Sequence, residues 1–566
     1  MHNTNTKQVS TSVLIIGSGG SGLRAGIELS EMGVDVLVVG KRHRMDPHTV
    51  LAAGGINAAL ATMDPDDTWE QHAADTLKEG YMLGDPLTVE TVTKGAAKGI
   101  EELEAYGMNF AREEDGRISQ RYFGAHKWRR TAFSGDYTGL EIQRALVNKS
   151  AQLQLPILDT VYITHLLVDN NKVFGAYGFD INNGTHYQIY ADSVILAAGG
   201  HNRIWRNTSS RRDENNGDSW RLAVEAGCSI RDAELVQFHP SGILKPDHAA
   251  GHLITEAARG ESGVLRNALG ERFMEKYDPQ RLELSTRDRI SLACYTEIKE
   301  GRGTENGGVW LDLTHIPKET ILERLPRVYH DMIEFQTLDV SKNMIEIAPT
   351  AHYSMGGVKV SADTHQTDVE GLFAIGEAAS GLHGANRLGG NSLIELLVYG
   401  RIVGQAAAKY SAGLKAHTRN HEAVKKAKDD VTKTMQANGS ETVRLLQRQI
   451  RDTMTEHVAV VRTEEGLKTA LKELKAIEER VPNISVNPDA AGYSSVAHAY
   501  DLRSSVLAAK ATIECALERR ETRGCHNRSD YPKMDPSLQV NLVWSPSSGV
   551  VKEALPEIPK NIAELM

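Results

Sequence analysis

Residues 12–22 read SVLIIGSGGSG. Five residues rich in Val, Leu and Ile make a buried parallel strand, and a glycine-rich turn follows without a break. The pattern after the turn is helical through about Met32, and VDVLVVG at 34–40 is a second buried strand. Strand, helix and strand in that order form the opening unit of a doubly wound α/β domain. Gly17, Gly19 and Gly22 complete GxGxxG. The first glycine permits the tight turn, the second lets the backbone approach a pyrophosphate, and the third lets the helix lie close to the strand. The helix N-terminus then faces the phosphate charge.

The rest of the 566-residue chain is too long for one core, so two to four domains are expected. Apolar content of 40% and charged content of 24% are ordinary for a globular protein. A net charge of −10 argues against nucleic acid as a partner. The start, MHNTNTKQVS, lacks a basic segment followed by an apolar run, so no secretory signal is expected. No apolar run suffices to span a bilayer, so membrane contact is expected only through a partner. The cysteines, Cys228, Cys294, Cys515 and Cys525, form no CxxC pair. Neither a disulfide framework, nor an iron–sulfur cluster, nor a resident metal is expected in this chain, and a reducing compartment follows.

Along the chain, helical patterns alternate with loops from about 86 to 150, and short strand-like runs fill 157–178. SVILAAGG at 193–200 is a further buried strand ending in glycines. The pattern turns mixed between 240 and 350, as an inserted domain would, and GLFAIGEAA at 371–379 reads as the return to the first domain. Beyond 416 it is helical: Val443, Leu446, Ile450, Met454, Val458 and Val461 recur at steps of three or four, as do Leu467, Leu471, Leu474 and Ile477. The expected division is a Rossmann-like dinucleotide-binding domain at 1–238 and 351–415, an inserted α+β capping domain at 239–350, a helical domain at 416–535 and an irregular tail at 536–566.

One position departs from the usual NAD fingerprint. The second strand ends in Gly40-Lys41-Arg42, where an acid for the ribose is usual. Glu377, after a late strand, is a candidate to supply it. With the glycines at 199–200, this favours FAD. A His then stands in the loop MDPHTVLAAGG at 45–55, where the reactive ring of a bound dinucleotide would lie.

Several stretches together resemble one family, the succinate dehydrogenase and fumarate reductase flavoprotein subunits, with L-aspartate oxidase as close kin. They are HTVLAAGGINAAL at 48–60, RYFGAHKWRRTAF at 121–133, VQFHPSG at 236–242, TEAARGESG at 255–263, STRDRIS at 285–291, PTAHYSMGGV at 349–358, GLHGANRLGGNSLIELLVYG at 381–400 and ETRGCHNRSDYP at 521–532. The resemblance runs to about residue 535.

It implies succinate–fumarate interconversion on FAD joined covalently to His48, since an unactivated CH₂–CH₂ unit needs a strongly oxidising flavin. It implies substrate contacts from Arg387, His239, His352, Thr255 and Phe123. Arg287 matches the general acid/base, with Glu256 and Arg259 as its relay to solvent. Cofactor contacts are implied for Gly17, Gly19, Gly22, Thr49, Gly54, Gly55, Asp218, Glu377, Ser392 and Leu393. Because the chain has no cluster ligands, the resemblance also implies an iron–sulfur partner and a membrane anchor exchanging electrons with quinone. The location would be cytoplasmic, peripheral on the inner face of a membrane.

Some positions depart from the family pattern. Ala53 stands where respiratory members carry Gln or Glu, so direction is not carried over; Pro47 replaces the usual Ser before His48; Thr286 and Ser241 are mild changes. The main alternative is L-aspartate oxidase, which lacks the flavin-linking His and carries a Glu for the substrate ammonium where this chain has Phe123. A non-catalytic flavin-binding protein serving assembly is the alternative of another class.

Overall fold

The computed structural model describes residues 5–417, 419–488 and 492–566. The strand Thr6–Ile16 lies at the centre of the largest sheet, paired in parallel with Val36–Val39 on one side and His186–Leu196 on the other. Ile157–Leu158 extends the first edge. On the far side, His186–Leu196 pairs in parallel with Leu372–Ala374 near its end and antiparallel with Lys172–Asp180 near its start. Val161–Asp169 closes that edge.

The central strands are buried on both faces, which is why they read as unbroken apolar runs. Val13 and Ile15 enter one core with the helices Gly20–Glu31, Pro86–Ala105 and Asn391–Gly413. Leu14 and Ile16 enter the other, which continues into the C-terminal helices. The return of the chain at Leu372–Ala374 is as expected, since this strand joins the same sheet.

Residues between the two visits build a second body. Its sheet is antiparallel, in the order Val236–Ile243, Ile345–Ser354, Val309–Asp312, Val264–Arg266. Ile243, Leu265, Ile290, Leu311 and Ile347 form its own core. The strands that enter and leave it overrun the expected limits of 239 and 350, so the capping body is tied to the first by continuous strands.

The helices His421–Met435, Val443–His457, Glu464–Glu478 and Ser494–Glu518 form the expected helical region. Leu446, Ile450, Met454, Leu467 and Leu474 are all buried in it.

The expectation of an irregular tail is overturned. Val540–Ser545 and Gly549–Ala554 form an antiparallel hairpin. Its first strand pairs with Ile230–Arg231, which pairs in turn with Gly357–Val358. The Pro and Ser residues of SPSSG make the turn of this hairpin, while Leu542 and Trp544 are buried beneath it.

Candidate active site

All but two of the residues singled out in the sequence line one cleft of about 2080 Å³, counted to its open mouth, between the main sheet and the capping body. Gly22 and Arg259 stand behind its wall.

At the sheet end, Gly17 has a φ of +125°, and a Cβ there would lie 2.1 Å from the Ala197 carbonyl oxygen. A Cβ on Gly22 would lie 1.9 Å from the carbonyl oxygen of Gly17. The protein itself therefore demands these two glycines. Gly19 is different: its nearest neighbour, Thr49 Oγ1, would be 3.4 Å from an added Cβ, so the space it leaves faces the cleft. The helix Gly20–Glu31 begins there with no side-chain cap and no acid in its first turn. The Gly20 amide donates to Thr49 Oγ1 over 3.1 Å, which ties the 48–51 turn to the glycine loop. Asn391–Gly413 also opens onto the cleft with no side-chain cap and no acid in its first turn. Two uncapped helix ends and a bare glycine loop fit the phosphates and ring of a dinucleotide.

An acid does reach the end of the second strand, though not from the residues next to it. Lys41 donates to Asp218 over 3.1 Å and to Asp501 over 2.6 Å, so a carboxylate reaches the end of the second strand from a distant segment. Burial alone would raise Asp218, but Lys41 and Arg221 together outweigh it and hold the group low. Glu377 instead accepts hydrogen bonds from Asn202 Nδ2 at 2.6 Å and the Ser354 amide at 3.0 Å. His48 and Arg387 are its charged neighbours. Glu377 thus lies toward the His48 and Arg387 end of the cleft, while Asp218 lies at the end of the second strand.

At the capping end, register explains the pairing of the histidines. His239 sits opposite Thr350 in the strand pair, with a bulge beyond it. Its ring and that of His352 come within 5.4 Å, centroid to centroid. His239 Nδ1 accepts from the Ser241 amide at 3.3 Å, leaving Nε2 as a donor. His352 shares a 3.0 Å hydrogen bond with Ser209. Burial and the neighbouring arginines push both rings well below the ordinary histidine range. Both surroundings favour the neutral ring, with His239 Nε2 left as the donor.

Arg387 follows Asn386 in the loop before the helix Asn391–Gly413. It donates to Ser392 Oγ over 2.9 Å and lies 4.6 Å from the Tyr353 ring centroid. Its Nε has no partner among the described residues. Burial and the charge of Arg287 push it down to about 9. That is the signature of a buried cation without its anion.

Arg287 begins the helix Arg287–Glu297. Its Nε donates to Glu256 over 2.9 Å and its Nη1 to Gln237 over 3.2 Å. Arg259 lies 3.8 Å from Glu256 on the turn Ala257–Gly260. Burial opposes the charge on Glu256, yet Arg287 and Arg259 hold it well below the usual carboxylate range. Phe123 is wedged against backbone: Cβ atoms on Gly54 and Gly389 would meet its ring at 2.7 and 2.9 Å. Thr255 lines the same wall.

Sequence reasoning missed two side chains here. Gln237 bridges Arg287 to Asn386 and the Arg387 carbonyl, at 2.8 and 2.9 Å. Gln237 lies within a quoted motif, one residue from Phe238 and two from His239. Glu214 accepts a 2.8 Å hydrogen bond from His48 Nδ1, and no motif marks it.

A dinucleotide cradle that opens onto a buried, cationic, acid/base-equipped pocket is the construction of a flavin-dependent oxidoreductase. The comparisons agree. A family described as "FAD binding domain" matches residues 12–393, and one described as "Fumarate reductase flavoprotein C-term" matches 447–552. The chain is 40% identical over 94% of its length to a subunit of the fumarate reductase (CoM/CoB) of Methanothermobacter marburgensis, covering 96% of that protein. It is 36% identical over 92% of its length to the succinate dehydrogenase flavoprotein subunit of Rickettsia bellii, covering 90% of it. Among solved structures, Mycobacterium smegmatis Sdh1 in complex with UQ1 superposes with a TM-score of 0.90 at 36% identity, over 98% of this chain and 96% of the other. The chain belongs to the succinate dehydrogenase and fumarate reductase flavoprotein family.

Proposed function

We propose that this protein interconverts succinate and fumarate. The observation that carries the reading is the convergence of Arg287, Arg387, His239, His352 and Thr255 on the cleft that the glycine loop enters. A four-carbon dianion needs fixed donors at both ends, and guanidinium forks suit carboxylates.

In this reading Arg387 and His352 grip and polarise one carboxylate, while Thr255 and His239 donate to the far end. Phe123, braced on two glycines, shapes the pocket beside them. When bound, FAD supplies the two-electron acceptor for a hydride. Arg287 takes the proton from the neighbouring carbon as its own Nε proton passes to Glu256, and the two transfers run backwards in the reverse direction. Glu256, ionised and 2.9 Å away, receives that proton, and Arg259 leads it outward. Gly17, Gly19, Gly22, Thr49, Gly54, Gly55, Asp218, Glu377, Ser392 and Leu393 would hold the cofactor. His48 would carry the covalent link.

No helix among the described residues is long and apolar enough to cross a membrane. The relatives are subunits by name, and one is solved with UQ1. This supports an iron–sulfur partner, an anchor delivering electrons to or from quinone, and a peripheral site on the inner membrane face. The chain divides near 238, 350, 415 and 535, with the strands Val236–Ile243 and Ile345–Ser354 crossing the first two limits.

The test is succinate-dependent dye reduction by the purified holoprotein, with fumarate reduction by a low-potential dye as the reverse assay. Turnover of both supports the reading. Oxidation of L-aspartate without succinate turnover would replace it with the aspartate oxidase alternative, which the apolar Phe123 disfavours because it offers no anion to an ammonium. Flavin binding without any turnover would favour a role in assembly.

A further inference from the structure

His48 is held by a network that no sequence motif marks. Its Nδ1 donates to Glu214 Oε1 over 2.8 Å. Glu214 is buried and is itself fixed by Arg211, whose Nη2 donates to Oε2 over 2.9 Å and whose backbone amide donates to Oε1 over 2.8 Å. Arg211 also grips Asp46 beside the His48 turn, through its side chain and, over 2.9 Å, its carbonyl. Burial works against a charged Glu214, but His48 and Arg211 hold it ionised, well below the usual carboxylate range.

A hydrogen bond at one imidazole nitrogen fixes the tautomer and leaves the other nitrogen with the lone pair. With Nδ1–H committed to Glu214, that nitrogen is Nε2 in the neutral ring; burial opposes the ring's charge, but the same carboxylate raises its proton affinity above the ordinary histidine value, so the Nε2 proton leaves to solvent before attack. A carboxylate behind an imidazole is the arrangement that orients the base in nucleophilic triads.

We propose that Glu214 is the positioning residue for flavin attachment: it fixes His48 so that Nε2 is the nucleophile toward the 8α carbon of FAD. The inference rests on the reading of His48 given above. In the step, a C8α–H bond breaks and its proton leaves to solvent. An Nε2–C8α bond forms. The electron pair of the broken bond stays in the ring system, which ends reduced by two electrons and is reoxidised by passing them to fumarate. The imidazole, now substituted at Nε2 and still protonated at Nδ1, is cationic, and the Glu214 carboxylate lies against that charge as it develops.

The experiment compares the full-length wild type with Glu214→Ala, Glu214→Gln and Glu214→Asp. Total FAD is read from the absorbance of the native protein, and attached FAD from the mass of the acid-denatured polypeptide. Wild type is expected to carry one FAD mass. Glu214→Ala should bind FAD but lose attachment by on the order of 10- to 100-fold, the usual penalty for removing a ligand-orienting partner. Glu214→Gln, which still accepts the hydrogen bond but has no charge, should fall between, and Glu214→Asp should recover part of the loss. Attachment in Glu214→Ala and Glu214→Gln equal to wild type overturns the proposal alone. Loss of all bound FAD in both also overturns it, since Glu214 would then serve cofactor retention. A wild type that oxidises succinate with no attached flavin overturns the covalent link and this inference together, and leaves the succinate reading standing.

Discussion

The Nε of Arg287 donates to Glu256 over 2.9 Å, and Arg259 approaches the same carboxylate oxygen at 3.8 Å. An arginine is a poor proton carrier by itself, because its ordinary pKa is very high. A neighbouring carboxylate changes that: Glu256, which Arg287 and Arg259 hold ionised against the cost of burial, offers the proton a place to go. Glu256 also accepts from the Gly124 amide at 2.9 Å, so the carboxylate is pinned next to Phe123.

Removing the guanidinium should therefore stop chemistry while binding survives. Arg287→Ala is expected to lower kcat by about 10²–10⁴, the usual worth of a positioned acid/base, with flavin content unchanged. Steady-state kinetics and the flavin-to-protein ratio check this. Substantial residual succinate oxidation would remove Arg287 from its role.

The pH dependence of substrate affinity should report Arg387. Its guanidinium is pushed down to about 9 by burial and by Arg287, and a bound dianion would raise it again. A group that must be protonated in the complex leaves affinity intact below its free value and weakens it above. The dissociation constant for succinate should thus be level from about pH 7 to about 9 and rise up to tenfold per unit beyond. Because His239 and His352 stay neutral, no break is expected near pH 6.5.

Two glycines of one motif should fail for different reasons. Gly22→Ala forces a methyl to 1.9 Å from a backbone oxygen, so the loop must open and the protein should melt early. Gly19→Ala meets no protein atom closer than 3.4 Å. That variant should melt normally without cofactor yet bind FAD weakly. Thermal melting alongside a flavin titration separates the two. An equal loss of stability in both would show that the space at Gly19 belongs to the protein and not to a ligand.

Lys41 stands between two carboxylates, and burial together with Asp218 lifts Asp501 to about 7 even with that cation present. Lys41→Met would leave Asp218 and Asp501 facing each other with only Arg221, on the Asp218 side, to oppose their charge. Breaking a buried ion pair in this way costs on the order of 3–5 kcal/mol. Chemical denaturation of the holoprotein at neutral pH should register it, and the loss should shrink as the medium is acidified and Asp501 takes up a proton. A melt no different from wild type would mean the cluster is solvated in solution.

Much of this is legible in the sequence because it is local. The glycine loop lies within six residues, Glu256 and Arg259 share one turn, and the buried strands advertise themselves by composition. What escapes detection depends on contacts made across the chain. His48 and Glu214 are 166 residues apart, and Lys41 and Asp501 are 460 apart. No spacing rule connects such pairs, since the doubly wound sheet and the long helix Ser494–Glu518 bring them together only when folded. An acid is expected beside the second strand or after the last one, and Asp218 reaches Lys41 at the end of the second strand from neither. The tail is easily misread because Pro and Ser mark a turn as readily as disorder, and a single hairpin offers only two short alternating runs.

That hairpin has a wider significance. The strand Val540–Ser545 is stitched to Ile230–Arg231 and through it to Gly357–Val358, the segments just before the capping body begins and just after it ends. The hairpin thus joins the two segments that flank the capping body in the sequence, so its loss would release both of them at once.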